Sequence, residues 1–133
     1  MKPFHLLIAT PDGLCYDGEA ESLLVRTDDG DVEILAGHTD LLASVGIGRA
    51  RIRINGNDRY ASAAGGFLTV ARGEVKLVAI TFEFSDEIDL NRANAAKEAA
   101  ESAISKASGE RDERLAKAKM ARAMNRINVA RMK

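Results

Sequence analysis

Five charged residues have the types and spacing to hold an anion. Arg122 and Arg126 lie four apart, so a helix puts them on one face. Arg92 follows Asp89 by three residues, and Glu83 precedes both. A guanidinium offers a planar fork of donors that fits phosphate oxygens, and a carboxylate accepts from a base amino group or a ribose hydroxyl. If the chain brings these groups together, they make a site for a phosphorylated ligand. The competing arrangement needs no ligand: Arg122 and Arg126 would pair with Glu98, Glu101 or the body of the protein.

Catalytic chemistry finds less support. Cys15, His38 and Asp40 can be drawn as a cysteine–histidine pair, but no nucleophile elbow, second neighbouring histidine or metal-ligand spacing accompanies them. His38 follows a glycine and is expected to hydrogen-bond within a loop or to touch a partner. Cys15 reads as a small apolar filler in a strand. Gly65-Gly66 lacks the lysine and the following helix of a phosphate loop, and instead marks a turn packed too tightly for a Cβ. The expectation is a protein with no catalytic residues, no metal and no required cofactor.

Two structural grammars must position the charged residues. They meet at Glu87-Ile88-Asp89-Leu90-Asn91-Arg92-Ala93. Before that stretch, apolar residues alternate and turns recur. Phe4 to Ala9 reads as a strand closed by Thr10-Pro11-Asp12-Gly13. Leu14 to Tyr16 is a short strand ended by Asp17-Gly18, and Glu19 to Thr27 a longer one. Asp28 to Asp31 forms an acidic loop, and Val32 to Leu35 and Leu41 to Val45 resume the sheet. Gly46-Ile47-Gly48 signals a kink or bulge. Arg49 to Ile54 alternates strictly and meets Asp58 to Ala63 across Asn55-Gly56, a dipeptide suited to a type I′ hairpin. Phe67 to Val70 and Glu74 to Ile80 follow, joined by Arg72-Gly73. Such a series of about nine or ten short strands predicts an antiparallel β-sandwich over residues 1–85.

From residue 86 to residue 133 the period changes. Asp89 is the favoured N-cap. Ala93, Ala96, Ala100, Ala103 and Ala107 recur at steps of 3 and 4, beside Ile104, until Ser108-Gly109 ends the helix. A second helix, from near Arg111 to about Met132, carries the seam Ala116, Met120, Ala123, Ile127, Ala130. Two matched seams and a short loop predict an antiparallel helical hairpin. The whole chain is therefore α+β. An alanine seam allows close approach but buries little area at about 25 cal/mol per Å², so the hairpin is expected to hold loosely. Its helices have the propensity to stay helical apart.

The totals narrow the class further. The 133 residues suffice for one ordinary domain, or a small one with an appendage. Hydrophobic residues make up 46% and charged residues 29%, as in a globular protein with no disordered linker. A single cysteine permits no internal disulfide. No apolar run reaches the length of a membrane span or a signal-peptide core, so a cytosolic protein is expected, unless a partner holds it at a membrane. The net charge of −1 conceals a split. Residues 1–110 carry 11 Lys/Arg against 18 Asp/Glu, net −7, and residues 111–133 carry 8 against 2, net +6. A basic tail of that strength points to something acidic: nucleic acid, an acidic protein surface or the body itself. Nucleic acid fits poorly, because the tail has no aromatic for base stacking and no helix-turn-helix pattern.

Thr10-Pro11-Asp12-Gly13, Ile34-Leu35-Ala36-Gly37-His38, Gly65-Gly66-Phe67, Ile88-Asp89-Leu90-Asn91-Arg92-Ala93 and Ala121-Arg122-Ala123-Met124-Asn125-Arg126 occur in an ordered series spanning essentially the whole chain. In order and spacing it resembles the epsilon subunit of bacterial F-type ATP synthase. The resemblance implies a β-sandwich with a helical hairpin in the central stalk, peripheral to the cytoplasmic face of the bacterial plasma membrane. The sandwich would bind the gamma subunit and the c-subunit ring, coupling proton flow to ATP synthesis. Asp31 and His38 are the candidate contacts there. The hairpin would extend along gamma and inhibit hydrolysis, its basic second helix meeting an acidic segment of the beta subunit, beside alpha. Arg114, Lys117 and Lys119 are the candidates for that contact. In some members ATP, as a regulatory ligand, favours the folded hairpin. Ile88, Asp89, Arg92 and Ala93 match the pattern found there, and Glu83, Arg122 and Arg126 fall at ligand contacts. This chain departs at Ala99, where such members can carry an arginine, at Ala36 for a usual proline, and at Glu33 for a usual glycine. The alternative is a free-standing protein-binding adaptor with no rotary role.

Overall fold

The structure, a computed structural model, describes residues 2–132. Ten strands form two five-stranded sheets. In chain order they are β1 (Phe4–Thr10), β2 (Gly13–Ala20), β3 (Ser22–Thr27), β4 (Gly30–Ile34), β5 (Leu41–Ser44), β6 (Gly48–Ile54), β7 (Asn57–Ala64), β8 (Phe67–Ala71), β9 (Glu74–Val78) and β10 (Thr81–Phe84). One sheet runs β2-β1-β9-β8-β5 and the other β10-β7-β6-β3-β4. Neighbours pair antiparallel except β1 and β9, which run parallel. The expected sandwich of short strands is therefore present.

Alternation sets the two faces. Leu6 and Ile8 of β1, Leu23 and Val25 of β3, Ile52 of β6, and Leu68, Val75 and Leu77 of β8 and β9 point into one aliphatic core and are essentially inaccessible. Phe82 and Phe84 close one end, their rings edge to face at 5.1 Å. The guanidinium of Arg59 lies 3.6 Å from the Phe84 ring centre and reaches Asp86 at 3.7 Å, which anchors the chain where it leaves the sheet.

Turn chemistry follows the sequence. Asn55 and Gly56 both take positive φ, 51° and 78°, as a type I′ hairpin requires. Gly66 is tighter still. A Cβ there would lie 1.9 Å from the Val78 carbonyl oxygen, and φ is +87°. Close packing, as expected, explains this glycine.

Several boundaries differ from the sequence reading: the strand expected from Glu19 to Thr27 is split at Glu21 between β2 and β3, and β9 ends at Val78, before a separate strand β10. Asp17-Gly18 does not end a strand. Both residues pair with β1 inside a continuous β2, and the irregularity falls instead at Cys15, which the register skips between Tyr16 and Leu14. The first helix, α1 (Leu90–Ser105), stops before Ser108-Gly109. The Ser105 hydroxyl donates back to the carbonyls of Ser102 and Glu101, and Lys106 caps the end. Gly109, with φ 88°, is the N-cap of α2 (Glu110–Ala130). It offers no side-chain cap, and Glu110, Asp112 and Glu113 supply negative charge to that turn instead.

After a single 3₁₀ turn at Ser85–Glu87, Asp89 caps α1 by accepting from the Arg92 backbone N–H at 3.1 Å. The helices pack antiparallel through Ala93 and Ala100 against Ala116, Ala123 and Ile127. Only α2 makes substantial contact with the sandwich, reaching β6, β7 and the 3₁₀ turn. Ala96 departs from the expected seam: it is exposed and faces a cavity.

Candidate functional site

The hairpin does not lie flat on the sheet. Alanines at positions 96, 99, 100 and 103 of α1 leave room beneath it, and a cavity of about 610 Å³ opens between the two helices and the outer face of the β10-β7-β6 edge. From the sandwich, Thr10 and Asp12 of the β1–β2 turn, Ser62 of β7, and Thr81 and Glu83 of β10 reach its wall. From the helices come Arg92, Lys119, Arg122 and Arg126. The volume falls in the range of small-molecule sites.

Its electrostatics are lopsided. Four cationic side chains face two carboxylates, Asp12 and Glu83, among the described residues lining it. Arg126 is committed to Glu83: Nε lies 2.8 Å from Oε1, and Nη2 donates to Oε2 at 3.4 Å. The buried Nε–H is not aimed well enough at Oε1 to make a hydrogen bond, so the contact is charge pairing with an unfilled donor. Among the described residues, the Arg92, Lys119 and Arg122 side chains form no ion pair. Three unpaired cations beside a cavity raise its positive potential and favour an anion.

Asn125, next to Arg126, holds the helix in place. Its Nδ2 donates to the Gly48 carbonyl at 2.8 Å and to Ser62 Oγ at 2.9 Å. Ser62 is buried, so this bond satisfies a hydroxyl that α2 itself cuts off from water. Sequence reading passed over Asn125, although its place beside Arg126 and one turn before Val129 put it on the docking face.

The structure thus gathers Glu83, Arg92, Arg122 and Arg126 around one space. Ile88, Asp89 and Ala93 do not line it. Ala93 is fully buried between the helices, Ile88 is half-buried beyond the 3₁₀ turn, and Asp89 acts as the helix cap. The pairing of Arg122 or Arg126 with Glu98 or Glu101 does not occur; only the contact of Arg126 with the body does.

The other named residues lie elsewhere. Asp31 pairs with Arg26 Nε at 2.6 Å at the β3–β4 edge. His38, between β4 and β5, hydrogen-bonds to the Thr39 carbonyl at 2.7 Å. Asp40 accepts from the Arg72 backbone N–H, and burial pushes the Cys15 thiol pKa up, which disfavours a thiolate. Arg114 is exposed, and Lys117 pairs with Glu113 at 2.8 Å. Among the described residues no group of His, Cys, Asp and Glu is placed to hold a metal, and no helix is long and apolar enough to cross a membrane.

A two-sheet sandwich followed by a helical hairpin is the domain order of one protein family matched over the chain. The β-sandwich domain of the ATP synthase delta/epsilon chain matches residues 3–85, and its long α-helix domain matches residues 86–131. The chain belongs to the ATP synthase delta/epsilon family. It is similar to the ATP synthase epsilon chain of Bacillus velezensis, 40% identical over 130 residues and 98% of each chain. The epsilon chain of Bacillus mycoides is 35% identical over 133 residues and 100% of each. The fold is also that of a chain in the Euglena gracilis mitochondrial ATP synthase structure containing F1 and the c-ring. The TM-score there is 0.78 at 20% identity, over 92% of this chain and 78% of that one. The resemblance carried by the sequence motifs is thereby borne out. The protein's role is that of a non-catalytic ATP synthase subunit.

Proposed function

We propose that the chain sits in the central stalk, binds the gamma subunit and the c-ring through its sandwich, and regulates hydrolysis through a hairpin that ATP holds in the docked state. The observation that carries the nucleotide reading is the convergence of Arg92, Arg122, Arg126 and Glu83 on one cavity between hairpin and sheet. A ligand lying there touches both bodies and therefore binds the docked form in preference to the extended one. Only such a difference in affinity can move the equilibrium. Full reversal from mostly extended to mostly docked needs about 5.5 kcal/mol.

Docking without ligand is weak because only α2 makes substantial contact with the sandwich, over a small area. Among the described residues, the specific contacts with the sandwich reduce to Asn125, the Arg126–Glu83 pair and a few apolar side chains such as Val129. Once extended, α2 would present Arg114, Lys117 and Lys119 to an acidic segment of the beta subunit, which the net +6 of residues 111–133 supports. Asp31 and His38 remain the proposed sandwich contacts.

Titration calorimetry with ATP tests the site. Arg92→Ala and Arg126→Ala should each weaken binding about tenfold or more, the effect of one lost charge-assisted contact. Arg92 is the cleaner probe, because it has no ion pair with the sandwich. Wild-type affinity in both variants would remove the site.

A further inference from the structure

The outer face of the β2-β1-β9-β8-β5 sheet carries one histidine, His5, set between carboxylates on the strands to either side. In the ladder His5 stands opposite Glu19 of β2 and Glu74 of β9, and Asp17 shares that face two residues before Glu19. The imidazole spans the gap: Nδ1 lies 2.5 Å from Glu74 Oε2, and Nε2 lies 2.6 Å from Asp17 Oδ1. Strand β2 is an edge strand. It is hydrogen-bonded to β1 alone, and its ladder is interrupted by the irregularity at Cys15. Among the described residues, His5 is the side chain that joins β2 to β9 across β1. Both contacts are hydrogen bonds only when both ring nitrogens carry a proton. A neutral imidazole has one N–H. It serves Asp17 or Glu74, and its other nitrogen then turns a lone pair toward the second carboxylate, which repels it.

We propose that His5 is a proton-operated clamp on the edge strand: as imidazolium it joins β2 to β9, and on losing its proton it releases one carboxylate and loosens β2 around Gly18. The charges nearby favour the closed form. Asp17 and Glu19 face His5 from β2 and Glu74 from β9, against Lys76 of β9, which stands opposite Leu7, and the exposed Lys2 ahead of β1. The hydrogen bonds to Glu74 and Asp17 accordingly raise the His5 pKa above 6.5. Because the closed form binds the proton more tightly, the clamp is shut below pH 6.5 and opens as pH rises through the folded value. Lys76 is placed to take up a released carboxylate, so the loosening is local and the sheet does not unfold. The clamp lies on the face of the sandwich opposite the hairpin and its cavity, and it works independently of any ligand there.

The test is an NMR titration of the full chain in wild type, Asp17→Asn, Glu74→Gln and His5→Gln. The chain has two histidines, so His5→Gln identifies the imidazole signal to follow. In wild type that signal should titrate above pH 6.5, and Asp17→Asn and Glu74→Gln should each bring its midpoint down. Amide exchange is then compared at pH 6 and pH 9, after correction for its intrinsic pH dependence. The ladder amides of β2 around Gly18 should lose protection by about twofold or more at the higher pH, while those of Leu68 and Leu77 in the sheet interior keep theirs. In His5→Gln the β2 amides should be weakly protected at both. A midpoint that neither carboxamide moves overturns the bridge. A midpoint that does move, with β2 equally protected at pH 6 and pH 9 in wild type, overturns the clamp and leaves a surface ion pair.

Discussion

At the scale of single residues, two positions have sharply different demands. Gly66 is dictated by backbone geometry. With φ at +87° and the Val78 carbonyl oxygen 1.9 Å from a would-be Cβ, no side chain fits without moving β9. Gly66→Ala should lower stability by at least about 2 kcal/mol, read from the urea midpoint; an unshifted midpoint would show that the β7–β8 turn relaxes freely. His5 is dictated by charge. On the outer face of the β2-β1-β9 sheet its Nδ1 lies 2.5 Å from Glu74 and its Nε2 2.6 Å from Asp17. Those hydrogen bonds, to Glu74 first and Asp17 second, raise its pKa above the usual 6.5. A raised folded value means that the stability His5 contributes is fully present below pH 6.5 and is lost as pH climbs through the folded value. The melting temperature of wild type should therefore exceed that of His5→Gln at pH 5.5 and converge on it toward pH 8.5. A gap independent of pH would mean that the imidazole acts only by packing.

At the scale of elements, the hairpin and the sandwich are joined by few specific bonds, and Asn125 carries two of them. Asn125→Ala leaves Ser62 Oγ buried and unpartnered, worth about 1–3 kcal/mol against docking. Amide exchange across α1 and α2 should speed up about tenfold or more while the sandwich amides keep their protection. Equal acceleration in both bodies would mean that the two unfold as one unit. The elements themselves were legible because each obeyed one period: alternation in Arg49 to Ile54, steps of 3 and 4 in Ala93 to Ala107. The errors came where a local signal was outvoted. Asp17-Gly18 looks like a turn, but β1 offers both residues ladder partners, and pairing wins. Ser108-Gly109 looks like a helix stop, yet the hydroxyl of Ser105 had already competed for the last carbonyls.

At the scale of the whole molecule, the site was only half readable. Spacing placed Arg122 and Arg126 together, and their helix delivers both to one cavity. It could not give Thr10, Asp12, Ser62 or Thr81, which lie far away in sequence and arrive only through sheet order and the tilt of the hairpin. Ala93 and Ile88 belong to the same stretch as Arg92, but helical geometry turns them toward a neighbouring helix and the linker. The charge split finds a structural counterpart. The basic α2 packs on a body that is acidic overall, so added salt weakens that packing.

One consequence lies in which helix touches what. Since α1 rests on α2 and on no strand to any comparable extent, it is a passenger. If α2 lifts, no substantial contact among the described residues retains α1 against the body beyond the short peptide after Phe84. On the proposed release, departure would be a single event, with no half-way form in which one helix stays behind, and a ligand bridging α2 and the sandwich would decide the fate of both.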